Sequence, residues 1–415
     1  MTVLREAMNI LRHRALIKEV LIMDNKVRLG IIGLGNMGAS HLKKIMAGEA
    51  GEEITVSAVC DIKPEKLDWA KNEFGESLAL FSSAEKMMDS GLVDAICVAV
   101  PHYDHPTYAI MAMKKGLHVM IEKPAGVYTE QVLEMNKVAD ECNVTFAIMM
   151  NQRTNCLYRK MREIIQSGEL GAIRRTSWII TNWYRPQAYY DSGDWRATWS
   201  GEGGGVLLNQ CPHNLDLWQW ICGMPEKITA KLHFGKWHDI EVEDDVTAYV
   251  EYPNGATGTF ITTTGDYPGA NRFEVTLEKG KIIATNEKGE TSLTMWKCDM
   301  SEPEFSATNT VAFGHPNVEK TNVETDGENP QHMGVFRAFA ANILHGTPLV
   351  ADGREGINGL TISNAMHMSA WMNSEIDVPT FDHDKYKEMI LQKAKSSRRK
   401  AAVSTAAVTD MDNTF

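Results

Sequence analysis

At 415 residues the chain exceeds what one small core supports, and 43% apolar with 23% charged residues is the balance of a globular protein of about two domains. Its formal charge of −12 argues against a main body that binds nucleic acid, which needs a basic surface. Cys60, Cys97, Cys142, Cys156, Cys211, Cys222 and Cys298 are scattered, odd in number and never arranged C-x-x-C, a pattern that fits free thiols in the cytoplasm better than a disulfide framework.

Residues 1–25 read as an N-terminal extension. Charges at Arg5, Arg12, Arg14 and Lys18 break any apolar core of a secretory signal, and no run in the chain reaches the length that spans a bilayer, so no membrane is expected as partner. An amphipathic helix or presequence stays open here; the simpler reading is an upstream start, with Met23 as the natural first residue of the fold.

From 26 to 150 strand-like and helix-like stretches alternate. "VRLGIIGLGNMGASHLKKI" (27–45) is an apolar run, then Gly33-x-Gly35-x-x-Gly38, then a helical pattern. That context is what a dinucleotide-binding loop demands: a glycine for the turn, one for pyrophosphate approach and one for close helix–strand packing. Asn36 and Met37 open the helix, whose free N–H groups face phosphate. A second strand, "ITVSAVCD" (54–61), ends in Asp61, an acid placed to accept from ribose hydroxyls and to favour NAD over NADP, with Lys63 softening that preference. "DAICVAVP" (94–101) and "HVMIEKP" (118–124) are nearly continuous in apolar residues, as parallel strands covered on both faces are. Helices are expected at 64–74, 84–89, 106–115 and 129–142. The result is a doubly wound sheet with its ligand beyond the carboxyl ends of the strands, where "PHYDHP" (101–106) and "EKP" (122–124) lie. Lys123 at such an end is partly desolvated and suited to acid–base work, and reads equally as a solvated lysine before a turn proline.

From 151 to 390 the pattern becomes that of a second domain. "IRRTSWIITNWY" (173–184), "DDVTAYVEYPNGATGTFITTT" (244–264) and "NRFEVTLEKGKIIATNEKGETSLTMW" (271–296) predict antiparallel strands with hairpin turns at Asn254-Gly255, 279–280 and 288–289. Val246, Ala248, Val250 and Tyr252 alternate with more polar neighbours, so one sheet face is packed and the other is free as a dimer surface. Residues 300–330 read as a long loop, with helices at 332–345 and 356–373. A tail from 391, clearest from 393, reads as a disordered end. Trp178, Trp183, Trp195, Trp199, Trp218 and Trp220 cluster within 178–220; aromatic faces suit sugar C–H groups, although core packing is the commoner fate of any one of them.

"GGGVLLNQCPHNLD" (203–216) concentrates polar chemistry after a glycine turn. Asn209 and His213 at i, i+4 would share a helix face. An imidazole titrating near neutrality suits a base, and a neutral amide offers a donor and an acceptor to a hydroxyl. Asp216 orients the imidazole, caps, or faces a neighbouring strand. No metal site is expected: Cys211 and His213 are too close for a known spacing and no second pair follows. His102-x-x-His105 reads as crevice loop. Arg153, Tyr158, Tyr184, Trp195 and Arg196 are candidate substrate contacts, each equally readable as structural.

Together "GIIGLGNMG", "VCD", "VAVPHYDH", "HVMIEKP", "MREIIQSGELGAIRR", "GGGVLLNQCPHNLDLWQW" and "PLVADGREGINGLTISNAMHMSAW" resemble the glucose–fructose oxidoreductase / inositol dehydrogenase / MocA (Gfo/Idh/MocA) family, in order and spacing, from about residue 26 to about residue 390. The resemblance implies a Rossmann domain followed by an α+β domain with a large, mostly antiparallel open sheet, and a dimer or tetramer packed through that sheet. It implies oxidation of a secondary hydroxyl by NAD(P), with Glu122 and His105 at the cofactor, Lys123 contacting substrate and assisting proton transfer, and His213 as the base. Asn209 stands where the family has an aspartate. The leading expectation is an NAD-dependent enzyme moving hydride between a ring hydroxyl of a sugar, a glycoside (C3 being one position) or a cyclitol and nicotinamide. The alternatives are a glycosidase working by transient oxidation and elimination, and a non-catalytic dinucleotide-binding regulator, against which the presence of both Lys123 and His213 argues.

Overall fold

The computed structural model describes residues 26–287 and 289–398. The expectations for residues 1–25, Met23 included, and for 399–415 lie outside the described residues. The chain forms two sheets. The first is parallel and has six strands, β1 (Val27–Ile32), β2 (Ile54–Cys60), β3 (Ala79–Phe81), β4 (Ala95–Val98), β5 (His118–Ile121) and β6 (Phe146–Ile148), in the order β3-β2-β1-β4-β5-β6. Leu29, Ile31, Ala95, Ile96, Cys97, Val98, Val119 and Ile121 are fully buried, which is why these strands carry unbroken apolar runs. The order reverses between β1 and β4, so the loop after β1 and the ends of β4 and β5 share one edge of the sheet. The strands β3 and β6, three residues each, are too short to announce themselves by periodicity.

The second sheet has nine strands: β7 (Ile173–Ile180), β8 (Lys227–Phe234), β9 (Glu243–Glu251), β10 (Thr257–Thr263), β11 (Asn271–Leu277), β12 (Gly280–Glu287), β13 (Glu290–Cys298), β14 (Val318–Asn322) and β15 (Ile376–Asp377). Their order is β14-β13-β12-β11-β7-β10-β9-β8-β15, antiparallel except where β10 lies parallel to β7. Val246, Ala248, Val250 and Tyr252 face inward and are 6% exposed or less, while Tyr249 between them is 43% exposed. Helices Cys156–Gln166, Pro212–Cys222 and Gly356–Met372 cover the inner face, where Trp178 stacks on Phe273 at 4.2 Å and Trp218 on Phe260 at 5.3 Å. The outer face carries Thr247, Ile261, Ile179 and Arg272 in one cross-strand row.

Two expectations need correcting. The stretch 300–330 is not one loop: Glu302–Thr308 is helical, capped by Ser301, and β14 adds an exposed edge strand. The start of the tail is tied down. The helix His383–Lys395 packs beside Thr129–Glu141, and Arg398 donates its backbone N–H to Glu241 at 2.9 Å and pairs with Asp239. Helix Gln331–His345, far along the chain, turns back onto the first sheet, where Phe336, Phe339 and Ala340 pack with Val27, Leu29 and Ile31.

Candidate active site

The loop after β1 has the shape a dinucleotide needs. A Cβ on Gly38 would lie 1.9 Å from the carbonyl oxygen of Gly33, so helix Asn36–Met46 can start this close to β1 only with glycine there. A Cβ on Gly35 would meet nothing within 4 Å, which leaves room for a pyrophosphate at the helix start. No side chain caps that helix and no acid stands in its first turn. Asp61, just beyond β2, accepts the Leu34 N–H at 2.7 Å and the Lys63 N–H at 2.9 Å, so it braces the loop at the place where a ribose would sit.

At the end of β5, Glu122 is 4% exposed and lies 2.5 Å from His41 Nε2, with the ring of His332 5.3 Å from that of His41. Burial works to raise the Glu122 carboxyl, but His41 and His332 prevail and hold it at about 2, a permanent anion. The half-buried Lys123 follows; its Nζ donates to the backbone carbonyl of Asn209 at 3.0 Å. Burial lowers the Lys123 pKa, Arg185 and Arg196 push the same way, and Glu122 and Glu202 oppose. His105 does not face open space: its ring nitrogens lie 2.7 and 2.8 Å from the carbonyl oxygens of Pro124 and Val100, bracing the turn that carries Lys123.

The second domain supplies the facing wall. A Cβ on Gly205 would sit 2.0 Å from the Glu243 carbonyl oxygen, and the Glu243 carboxylate accepts the N–H groups of Gly205 and Leu207 at 2.9 and 3.0 Å. This pins the glycine turn to the start of β9 and presents Asn209. Asn209 lies in the turn before the helix and not on it: Pro212, lacking an N–H, opens a new helix, so the expected shared helical face with His213 does not form. Asn209 Nδ2 donates to Glu202 and, at 3.1 Å, to the Tyr189 hydroxyl, which also receives Arg196 at 3.0 Å. His213 is 2% exposed in the first turn of Pro212–Cys222 and feels the charges of Lys123, His332 and Glu122. Burial, with Lys123 and His332, drives its imidazole well below the ordinary value, so it is neutral and not poised near neutrality as expected.

Other candidates lie elsewhere. Arg153, 3% exposed, is not brought to the cleft: it forms a two-pronged pair with Asp216 at 2.8 and 2.7 Å and another with Glu355 at 2.8 Å. Asp216 is thereby committed to Arg153 and does not orient His213. Tyr158 and Trp178 pack in the core, Trp218 bonds Thr176, Trp199 is buried against His367, and Trp220 underlies Arg162. Trp183 donates its Nε1–H to Asn214 at 3.2 Å, next to His213, and Trp195 stands 5.9 Å from His102 and 4.6 Å from Arg196. Tyr184 is 42% exposed beside Tyr267. Sequence reading missed His41, His332, Tyr189 and Glu202. Of these only Glu202, in "GEGGG", carried a signal, an acid beside a tight glycine turn. No group of described residues has the makings of a metal site, and no described helix is long and apolar enough to cross a membrane.

A parallel sheet with a glycine phosphate loop, whose carboxyl edge bonds through Lys123 to the turn pinned at the start of β9 in an open nine-stranded sheet, defines a dinucleotide-binding protein. The chain belongs to the Gfo/Idh/MocA family: residues 27–150 match the model described as "Oxidoreductase family, NAD-binding Rossmann fold", and residues 158–283 match the GFO/IDH/MocA C-terminal domain. It is 23% identical over 353 residues to the scyllo-inositol 2-dehydrogenase (NADP(+)) of Bacillus subtilis, covering 82% of this chain and 92% of that one. To the inositol 2-dehydrogenase of Leifsonia xyli it is 26% identical over 202 residues, 48% of this chain and 54% of that protein. The match to the uncharacterized oxidoreductase YdgJ of Escherichia coli, 25% identical and covering 51% of this chain, likewise spans less than two thirds of the relative, 58% of its length. Among solved structures the WlbA dehydrogenase of Bordetella pertussis, in complex with NADH and UDP-GlcNAcA, is 27% identical with a TM-score of 0.72, covering 85% of this chain and 98% of that one.

Proposed function

We propose that the protein oxidises a secondary ring hydroxyl of a sugar, glycoside or cyclitol with NAD, or runs the reverse reaction. The observation that carries this reading is the Lys123 ammonium at the carboxyl edge of the first sheet, bonded across the cleft to Asn209, with His213 within its field. The names of inositol dehydrogenase relatives and the NADH and sugar-nucleotide complex of a similar structure support the substrate class. C3 of a pyranose is the position we favour within that class.

NAD would be held by the loop Gly33–Gly38, the helix start at Asn36 and Met37, Asp61, Glu122 and His105, and would supply the hydride acceptor. Hydride leaves a carbinol carbon only as its O–H proton departs, and we assign that proton to the Lys123 amine. A strongly depressed imidazole is a weak base, so His213 acts as a neutral hydrogen-bonding group on the substrate oxygen. Asn209 holds a neighbouring hydroxyl, and Tyr184 and Trp195 line the approach. Asp61 favours NAD; the NADP-type relative from Bacillus makes the cofactor comparison part of the test. We place the reaction in the cytoplasm, in line with seven free cysteines, and assign the outer sheet face to a homodimer or tetramer.

Purified protein incubated with myo-inositol, methyl β-glucoside or UDP-N-acetylglucosaminuronic acid should reduce added NAD faster than NADP, read as absorbance of the reduced cofactor. Sugar release from the glycoside without net reduction would replace this reading with the eliminating glycosidase. Binding of NAD with no turnover of any polyol would leave the regulator.

A further inference from the structure

Glu202 is the acid that no motif assigned. It lies in the turn before Gly203–Gly205, is 2% exposed, and is held by the loop it helps to shape: its carboxylate accepts from Ala197 N–H at 2.6 Å and from Asn209 Nδ2. Its backbone carbonyl accepts from His102 Nδ1 at 3.0 Å. Asn209 spends both amide hydrogens, one on Glu202 and one on Tyr189; among the described residues no donor reaches its Oδ1. The amide is thus fixed with an acceptor to spare, and an acceptor is what a substrate hydroxyl requires.

We propose that Glu202 is a positioning residue that supplies, one shell behind Asn209, the negative charge an aspartate at 209 would carry, orienting the amide to accept from the substrate hydroxyl while its field favours the Lys123 ammonium. This rests on the oxidoreductase reading above. Every element around the carboxylate contributes charge or a polar contact: Arg196 and Asn209 from its own segment, Lys123 from the end of β5, Glu243 from β9, His102 from the turn after β4, and Tyr189 and Tyr190 from helix Gln187–Asp191. Burial raises the Glu202 carboxyl to about 7, Glu243 adds to that, and Arg196 and the Ala197 N–H offset only part.

The sign of the linkage reads whether the carboxyl is held protonated by burial, and rescue through Asn209 separates positioning from a merely structural role. Between the ordinary carboxyl value of 4.5 and about 7 the folded protein keeps a proton that the unfolded chain has lost. Folded stability therefore falls as pH rises through that window. Glu202→Gln removes the effect, so its unfolding temperature relative to the unaltered protein should rise from about pH 5 to about pH 8. With Asn209 deprived of its anchor, kcat on the three probes above should fall by at least about tenfold with NADH affinity unchanged, and the alkaline limb that follows Lys123 should move to lower pH, since Glu202 no longer opposes the lowering of that lysine. Glu202→Asp should lie between, and Asn209→Asp placed in the Glu202→Gln background should restore kcat. A Glu202→Gln protein with unaltered kcat and pH profile, or with a stability offset that ignores pH, overturns the proposal. If the unaltered protein turns over none of the probes, the oxidoreductase reading fails, and the pH-dependent offset still decides Glu202.

Discussion

Burial acts on Lys123 and His213 in the same direction and with opposite consequences. Lowering a lysine from 10.5 favours its neutral amine, the form that can take a proton, whereas lowering an imidazole weakens it as a base. Oxidation should therefore speed up as pH rises through the Lys123 titration, below 10.5, since the amine must be free to take the proton. Lys123→Ala should cut turnover by roughly 10²–10⁴-fold and abolish that alkaline limb, while NADH binding, followed by its fluorescence, persists. An unchanged limb in this variant would move the proton to another group.

Elements are placed by polar clamps that reach across sequence. The helix Pro212–Cys222 is fixed to the turn Asn151–Thr154 by the Arg153–Asp216 pair, both partners almost fully buried, so the chain leaving the first sheet dictates where His213 stands. Arg153→Leu leaves the Asp216 charge buried and unpaired and should cost about 3–5 kcal/mol in denaturant unfolding, whereas the double change Arg153→Leu with Asp216→Leu should recover much of it. If the single variant unfolds at the same denaturant concentration as the unaltered protein, the clamp does not hold the helix. Glu243 does the corresponding work for the glycine turn, through two backbone N–H groups and a contact with His367 at 2.9 Å.

At the scale of the molecule, among the described residues the nine-stranded sheet carries its packed helices on one face. Ile261 sits on the bare face between Thr247 and Ile179, with Tyr249, Thr259 and Ser177 in the next row. A charge at its centre would be desolvated by any copy packed there. We expect Ile261→Glu to shift the protein towards monomer in light scattering while leaving its circular dichroism unchanged; an unaltered mass would remove this face from the interface.

Local pattern alone determined four of the six strands of the first sheet, because they are apolar runs of parallel-sheet type, and the glycine spacing is fixed by a close approach that tolerates no side chain at Gly38. It determined too the alternation in β9 and the polar segment that carries Asn209 and His213. What it left undecided involved partners far apart in the chain. His332 reaches Glu122 from a helix near the other end, Arg153 holds Asp216 in a buried pair, and Glu202 anchors the Asn209 amide. Periodicity reports which face of a segment is buried and nothing about which distant segment buries it. Only the tertiary structure, by bringing Glu122, Lys123, His213 and His332 near one another, sets how burial and neighbouring charge shift each of them.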